Sequence, residues 1–268
     1  MLIESAVHLP ISWAMLQGIF HAPDVQTELP RIVMRWLHIV GGITWIGLLY
    51  FFNLVNVPLQ KGLDADTKKK VNPELLGRTL WWFRWGAVVT VLFGLGYYIM
   101  YILKPTVGNA QTLGHVDLSG KTIALVWISV PIVTFLVEFL IIKKVPALIK
   151  DGRVFAIVAL ILFGAMTVVI LKWLSGSLTV NGENYASNST LSIGVGGAMG
   201  LIMLLNVWGI IWPNNKRIIA GLTGGPAAAP ELARQAFIAS RTNAWLSLPM
   251  LLFMATSPRG DWVIFGGK

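Results

Sequence analysis

His38 is the one histidine that lies well inside a long apolar run, and it is the first candidate for chemistry. An ionisable group within an apolar span is costly and is a functional hypothesis by default. At helical spacing His38, Gly42 and Trp45 share one face. The glycine leaves room for a flat group, on which the tryptophan could stack. This face suits an axial ligand of haem b or a quinone contact, with an interhelical hydrogen bond from the imidazole as the structural alternative.

A second haem ligand is harder to find in the sequence. His21, expected on the same side of the membrane as His38, could complete a bis-histidine pair, or it could lie at the interface without a ligand role. His115 falls in a predicted loop, and His8 is too far from His38 to share a metal. No His-x-x-x-His pair or carboxylate–histidine cluster occurs, so a catalytic metal site built only from side chains is not indicated.

A second set of polar residues is expected at one depth in the membrane, toward the cytoplasmic ends of the spans. The set includes Arg78 and Asn206. Its other members are the candidate catalytic residues Asn53, Asn56, Arg84, Glu138, Arg241 and Asn243. Amide, guanidinium and carboxylate groups can hold a small planar polar molecule through paired donors and acceptors. In the structural alternative, Glu138 pairs with Arg84 and the asparagines link helices.

Composition indicates which elements must position these residues. Of the 268 residues 55% are hydrophobic and only 12% are charged, whereas a soluble domain carries about 25% charged residues. This composition argues against a soluble enzyme, a disordered tail and a nucleic-acid binder. It predicts an all-α protein, a polytopic helix bundle integral to the membrane and surrounded by lipid.

Five runs have the roughly 20 apolar residues that a membrane-spanning helix needs. The five predicted spans are Ile32–Leu54, Thr79–Leu103, Thr122–Ile142, Val154–Lys172 and Leu191–Trp212. Two shorter apolar stretches, Ser5–Phe20 and Asn243–Ser257, bring the expected total to between six and eight spanning or re-entrant helices. Residues 1–268 are predicted to form a single domain. Pro230–Ser240 is predicted to be an amphipathic helix on the membrane surface.

The net charge of +9 comes from basic residues concentrated in alternate loops. Lysine and arginine cluster after the first, third and fifth long spans, whereas the predicted loops Pro105–Gly120 and Ser175–Thr190 hold few or none. The positive-inside rule places the basic loops in the cytoplasm and the C-terminus on the outer face. The chain has no cysteine, so it cannot itself carry covalent c-type haem.

Three stretches resemble one known family. The run from Arg35 to Pro58 (RWLHIVGGITWIGLLYFFNLVNVP) resembles the opening of the membrane domain of the cytochrome-c-linked urate oxidases, or urate hydroxylases. Trp82–Ala87 (WFRWGA) and Ser240–Met254 (SRTNAWLSLPMLLFM) are similar to later parts of that family. Two features depart from the pattern of that family. The family pattern leads us to expect a histidine shortly after Ser257, where this sequence has proline and arginine, and the 268 residues include no cytochrome domain.

The resemblance implies a multi-pass protein of the bacterial inner membrane, with a periplasmic C-terminus, that oxidises a purine. The residues it carries over are His38, Asn53, Asn56, Arg84, Arg241 and Asn243. We therefore expect an oxidoreductase that passes electrons to a separate c-type cytochrome or other electron-transfer subunit. The alternatives are a non-catalytic accessory or anchoring subunit of a larger electron-transfer complex and a small-molecule transporter.

Overall fold

The structure is a computed structural model that describes residues 23–258 and 263–265. The predicted short helix Ser5–Phe20, with His8, and the candidate ligand His21 lie outside the described residues. Within them the protein is all-α apart from one small hairpin.

The described part of the chain contains six long helices and one short helix. They are α1 (Glu28–Gly62), α2 (Ala65–Gly114), α3 (Gly120–Lys144), α4 (Pro146–Lys150), α5 (Gly152–Ser177), α6 (Asn188–Leu222) and α7 (Pro230–Ala255). Strands β1 (Thr179–Val180) and β2 (Glu183–Asn184) pair in an antiparallel hairpin between α5 and α6.

Five of these helices, α1, α2, α3, α5 and α6, are long and apolar enough to cross a membrane. They contain the five predicted spans, so this part of the prediction is confirmed. Their outer surface is apolar: on α5, Ile157, Leu160 and Ile161 are each more than half exposed. A surface of this kind suits lipid rather than water as the surroundings.

The helices are longer than the sequence predicted. Helix α2 begins 14 residues before Thr79, where the Asp64 carboxylate caps it by accepting hydrogen bonds from the backbone N–H groups of Asp66 and Thr67. A hydrogen bond from the Thr67 hydroxyl, with that of its backbone N–H, lowers the pKa of Asp64. The helix continues to Gly114, so most of the predicted loop Pro105–Gly120 is helical.

The prediction that Pro230–Ser240 is helical is confirmed, but these residues do not form a separate surface helix. These residues form the first turns of α7, which continues without a break through the marginal span Asn243–Ser257 as far as Ala255. Pro230 can begin the helix because the first turn of a helix does not need its N–H. Pro249 then lies inside the helix without ending it.

Three of the long helices contain a π-helical turn, and each turn is followed by a proline. The turns are Phe51–Asn56 in α1, Ile99–Leu103 in α2 and Val207–Ile211 in α6, and the prolines are Pro58, Pro105 and Pro213. Proline donates no hydrogen bond and its ring clashes with the carbonyl four residues earlier. The wider turn relieves this clash, and such turns are frequent at functional sites.

Hydrogen bonds between helices define two ends of the bundle. At the hairpin end, the Tyr98 hydroxyl donates to the Thr190 carbonyl and the Asn188 amide donates to the Thr256 carbonyl. At the opposite end, which we name the basic end, Lys143 Nζ donates to Asn214 Oδ1 and Gln235 Oε1 at 3.1 and 2.8 Å. The predicted cytoplasmic loops belong to the basic end.

Candidate functional site

A cavity of about 1560 Å³ opens between α1, α2, α6 and α7 near the hairpin end. Its lining residues on α1 lie between Arg31 and Tyr50, and those on α7 begin at Met250. Below it, α1 and α7 come together: the Tyr50 hydroxyl lies 2.9 Å from Ser247 Oγ, and Asn53 Nδ2 donates to Ser240 Oγ at 3.0 Å. The cavity is therefore a wedge that closes toward the middle of the bundle.

His38 lies on the wall of this cavity. Its Nδ1 lies 2.7 Å from the Thr90 carbonyl oxygen. A carbonyl can only accept a hydrogen bond, so Nδ1 carries a proton, and in a neutral imidazole the lone pair then lies on Nε2. The ring packs directly on Gly94, where a Cβ atom would lie 2.5 Å from Nδ1. This arrangement fixes the ring in the form that metal-ligating histidines adopt.

Gly42 and Trp45 line the same cavity as His38. A Cβ atom on Gly42 would meet only the Thr90 side chain, at 3.7 Å or more, so the helix surface here has space beside it. Trp45 is 1% exposed, and its indole Nε1 has no hydrogen-bond partner among the described residues. A buried donor of this kind is expected to find a partner, which a bound molecule could supply.

A second group of polar side chains, all buried except the half-buried Arg84, lies just below the wedge, and we call it the polar layer: Asn53, Arg84, Glu138, Asn206 and Asn243. At its centre Asn206 Nδ2 donates to both carboxylate oxygens of Glu138, at 3.1 Å each, and to Asn243 Oδ1 at 3.0 Å. Asn243 Nδ2 in turn donates to the Met203 carbonyl. The layer thus links α3, α6 and α7 through amide groups.

The suggested pairing of Glu138 with Arg84 is not found. Glu138 is bound by Asn206, while the Arg84 guanidinium lies on the face of Trp212, with Cζ 3.7 Å from the ring centroid. Stacking on an indole face is favourable for a guanidinium. Arg84 Nε and Nη1 are nevertheless buried without a hydrogen-bond partner among the described residues.

Other atoms of the layer are also unpaired among the described residues. They are the acceptors Asn53 Oδ1 and Asn206 Oδ1, and the neighbouring donor Trp208 Nε1. Asn53 joins the layer through Ser240 of α7, and Trp208 lies 5.9 Å from Arg84 Cζ. The layer therefore offers buried donors and acceptors close to two indole rings.

Two predicted site residues lie apart from this group. Asn56 Oδ1 accepts from Gln60 Nε2 at 3.2 Å, and Arg241 Cζ lies 5.3 Å from the Phe237 ring centroid. Sequence reasoning missed Thr90, Ser240 and Trp208. The spacing of Trp208 and Trp212, four residues apart on α6, was a usable signal for an aromatic face.

Charged and metal-ligating groups are sparse in the described ranges. Within residues 23–258 and 263–265, no group of three or more His, Asp or Glu side chains could hold a metal ion. Arg78 and Glu74, exposed on α2, form an ion pair at 3.0 Å. The site consequently depends on one imidazole, one guanidinium and several amides.

These features define an all-α bundle with five candidate membrane spans, a wedge-shaped cavity and a buried polar layer. The family described as "Urate oxidase N-terminal" matches residues 61–258. This range covers well over half of the chain, so the protein belongs to that family. Comparison with curated proteins found no match, and comparison with solved structures found none.

Some candidate residues lie inside the range matched by the family, and others lie outside it. The range includes two of the three stretches that resemble the urate oxidases, with Arg84, Glu138 and Asn243 of the polar layer. It begins after His38 and Asn53, which lie on α1. The family match therefore supports a urate-oxidase-related protein and leaves the role of His38 to the geometry.

Proposed function

We propose that this protein is a membrane-bound oxidoreductase related to the urate oxidases, which binds a planar, anionic purine in the polar layer and passes its electrons to a separate c-type cytochrome. The family match supports a urate-related oxidoreductase function. The orientation follows from the positive-inside rule, which places the hairpin end, where the cavity opens, on the periplasmic face of the bacterial inner membrane.

The observation that carries the proposal is the Arg84 guanidinium, whose Nε and Nη1 are buried without a hydrogen-bond partner among the described residues. An anionic ligand would supply acceptors for these donors. In the same layer and beside it, Asn53 Oδ1 and Asn206 Oδ1 are buried acceptors and Trp208 Nε1 is a buried donor, also without partners among the described residues. A purine anion carries negative charge, N–H donors and carbonyl acceptors in one plane, so it matches this mixed set. The indoles add faces on which such a ring can stack.

The proposed redox group is haem b in the cavity, with His38 as its iron ligand. When bound, haem supplies one-electron redox chemistry. The residues present fit this group, since the Thr90 carbonyl holds the imidazole with Nε2 free and Gly42 leaves space beside the helix. Because residues 1–268 contain no cysteine, the c-type haem that accepts the electrons lies outside this sequence.

The proposal is tested by urate-dependent reduction of added c-type cytochrome in membranes containing the protein. We expect Arg84→Gln to abolish this reduction or raise the urate KM at least tenfold, because the anion loses its counter-charge. Arg78→Gln is the matched control, since Arg78 is also on α2 but its side chain is 83% exposed. Equal activity of the two variants, or no urate-dependent reduction with any c-type cytochrome, would contradict the proposal.

A second candidate function is that of an accessory or anchoring subunit. It is favoured by the central part of the polar layer, where Glu138, Asn206 and Asn243 bond to one another and tie three helices together. Such a subunit would copurify with cytochromes and show no turnover of its own. Arg84→Gln would then change assembly of the complex and leave the urate KM of the complex unchanged.

A further inference from the structure

The cavity has a polarity gradient that the proposed function does not use. Its charged lining residues, Arg31, Arg35 and Glu183, lie toward the hairpin end together with polar residues such as Asn109 and Asn184, whereas the lining around His38, nearer the middle of the bundle, is mostly glycine, aromatic and aliphatic. Glu183 already accepts a hydrogen bond from the Tyr185 hydroxyl at 3.1 Å. Two cations therefore lie at the polar end of a cavity whose inner part is mostly apolar, which fits a ligand with an apolar body and an anionic edge.

The position of the two arginines relative to His38 follows from the helix. Arg31, Arg35 and His38 lie on one face, because residues three, four and seven apart superpose along a helix. At 1.5 Å per residue, Arg35 lies about 4.5 Å and Arg31 about 10.5 Å along the axis from His38. All three line the cavity, so an imidazole and two guanidinium groups follow one wall from depth to mouth.

Arg31 is held at this wall by two tyrosines of α2. Its Nε donates to the Tyr97 hydroxyl at 3.3 Å, and its Cζ lies 6.0 and 5.8 Å from the Tyr97 and Tyr101 ring centroids. The contact with Tyr97 uses the Nε–H group, so a carboxylate would bind at the terminal nitrogens, Nη1 and Nη2. Guanidinium groups bind carboxylates with favourable two-point geometry.

The deep wall has room for a flat body. A Cβ atom on Gly200 of α6, which lines the cavity, would have no atom within 4 Å. Close packing in this helix falls on Gly196 instead, where a Cβ atom would be 3.2 Å from the Met250 carbonyl oxygen of α7. The volume of about 1560 Å³ exceeds the ~300–1,000 Å³ of ordinary small-molecule pockets, so a macrocycle fits.

From these contacts we infer that Arg31 and Arg35 anchor the two propionate carboxylates of the haem whose iron His38 binds, so that the macrocycle enters apolar edge first and its acidic edge stays at the mouth. This inference rests on the haem site of the proposed function. It assigns a role to two arginines outside the residues matched by the family. It also explains why two arginines lie at the polar end of the cavity.

The test compares haem with its dimethyl ester, in which both carboxylates are blocked. Purified protein is titrated with each in detergent, without urate, and binding is followed by the Soret band. We expect the unmodified protein to bind haem at least tenfold more tightly than the ester. The Arg31→Gln/Arg35→Gln double variant should bind the two equally while keeping the ligand-field spectrum of the unmodified protein.

Matched variants separate ligation from folding. His38→Ala should lose the Soret band and regain it when imidazole is added, because free imidazole can replace the missing ligand. His115→Asn is the control, since His115 is exposed outside the cavity and asparagine tolerates its left-handed backbone (φ 50°). Arg78→Gln is the control for the arginines.

Several results would overturn the inference. It fails if the unmodified protein binds haem and ester equally, if the double variant retains the preference, or if phospholipid copurifies in the cavity and no haem binds. Its failure is separable from that of the proposed function. If haem binding depends on the carboxylates but no urate is oxidised, only the proposed function is contradicted. If urate is oxidised but haem and its ester bind equally, only the role of the two arginines is contradicted.

Discussion

At the scale of single residues, Glu138 depends on one neighbour in the interior of the bundle. It is 1% exposed, and its two oxygens share the single amide nitrogen of Asn206, which is itself fully buried. Leaving a buried polar group without its partner is more costly than removing both members of a pair. The amide of Asn206 is therefore the group on which Glu138 depends.

We expect Asn206→Leu to destabilise the protein by about 1–3 kcal/mol, since it leaves the buried Glu138 carboxyl group without its hydrogen-bond donor. Glu138→Leu in that background should recover part of the loss, because it removes the polar group left without a partner. Thermal unfolding in detergent, followed by circular dichroism, measures both effects. Additive losses in the double variant would show that the two side chains are not coupled.

Residue depth was predictable from the sequence, whereas pairing was not. Helical counting placed Glu138, Asn206 and Asn243 at one level, where the structure has them bonded. The same counting allowed Arg84 as the partner of Glu138, because it cannot fix the rotation of α2 about its axis. In the structure that rotation turns the guanidinium onto Trp212 instead.

At the scale of elements, α1 and α2 cross with their backbones in near contact. A Cβ atom on Gly41 would lie 2.9 Å from Thr90 Oγ1 and 3.1 Å from the Thr90 backbone nitrogen, and one on Gly86 would lie 3.3 Å from the Trp45 backbone nitrogen. Small residues allow this approach between apolar helices, where packing rather than the hydrophobic effect drives association. The crossing also brings the Thr90 carbonyl within reach of His38.

Neighbouring glycines should therefore respond in opposite directions. We expect Gly41→Ala to lower the melting temperature, because the new methyl group meets backbone that cannot move aside. Gly42→Ala should be neutral or stabilise by up to about 1 kcal/mol, since alanine is the better helix former and meets only ordinary contacts. Thermal unfolding in detergent compares them, and an equal loss in both variants would argue against a close crossing at Gly41.

The five candidate spans were predictable because a long apolar run has few other interpretations. The π-helical turns and the extensions of α2 and α7 were not. A π-helical turn precedes each of Pro58, Pro105 and Pro213. Pro73, Pro131 and Pro249, in contrast, lie in regular helix. The difference depends on neighbouring helices that accommodate the freed carbonyl, which the local sequence does not encode.

At the scale of the whole molecule, charge is distributed unequally between the two ends. The basic end holds Lys61, Lys143 and Lys216, whereas the connection from Ser175 to Thr190 at the hairpin end has no lysine or arginine. The positive-inside rule predicts from this bias that the basic end faces the cytoplasm.

Reporter fusions test this orientation. Alkaline phosphatase, which is active only outside the cytoplasm, should be active when fused after Phe265 and inactive when inserted between Gly224 and Ala229. Green fluorescent protein should show the opposite pattern. The reverse result at both positions would place the cavity mouth on the cytoplasmic side and remove the route to a periplasmic cytochrome.

The contacts of Tyr50 with Ser247 and of Asn53 with Ser240 close the wedge on one side only. In the proposed orientation, a molecule in the cavity would exchange through the hairpin end, which would face the periplasm. The occupancy of the proposed haem site would then be set by supply from that side of the membrane. Loading would be a directional step in maturation, completed only after the helices have been inserted and α7 has docked on α1.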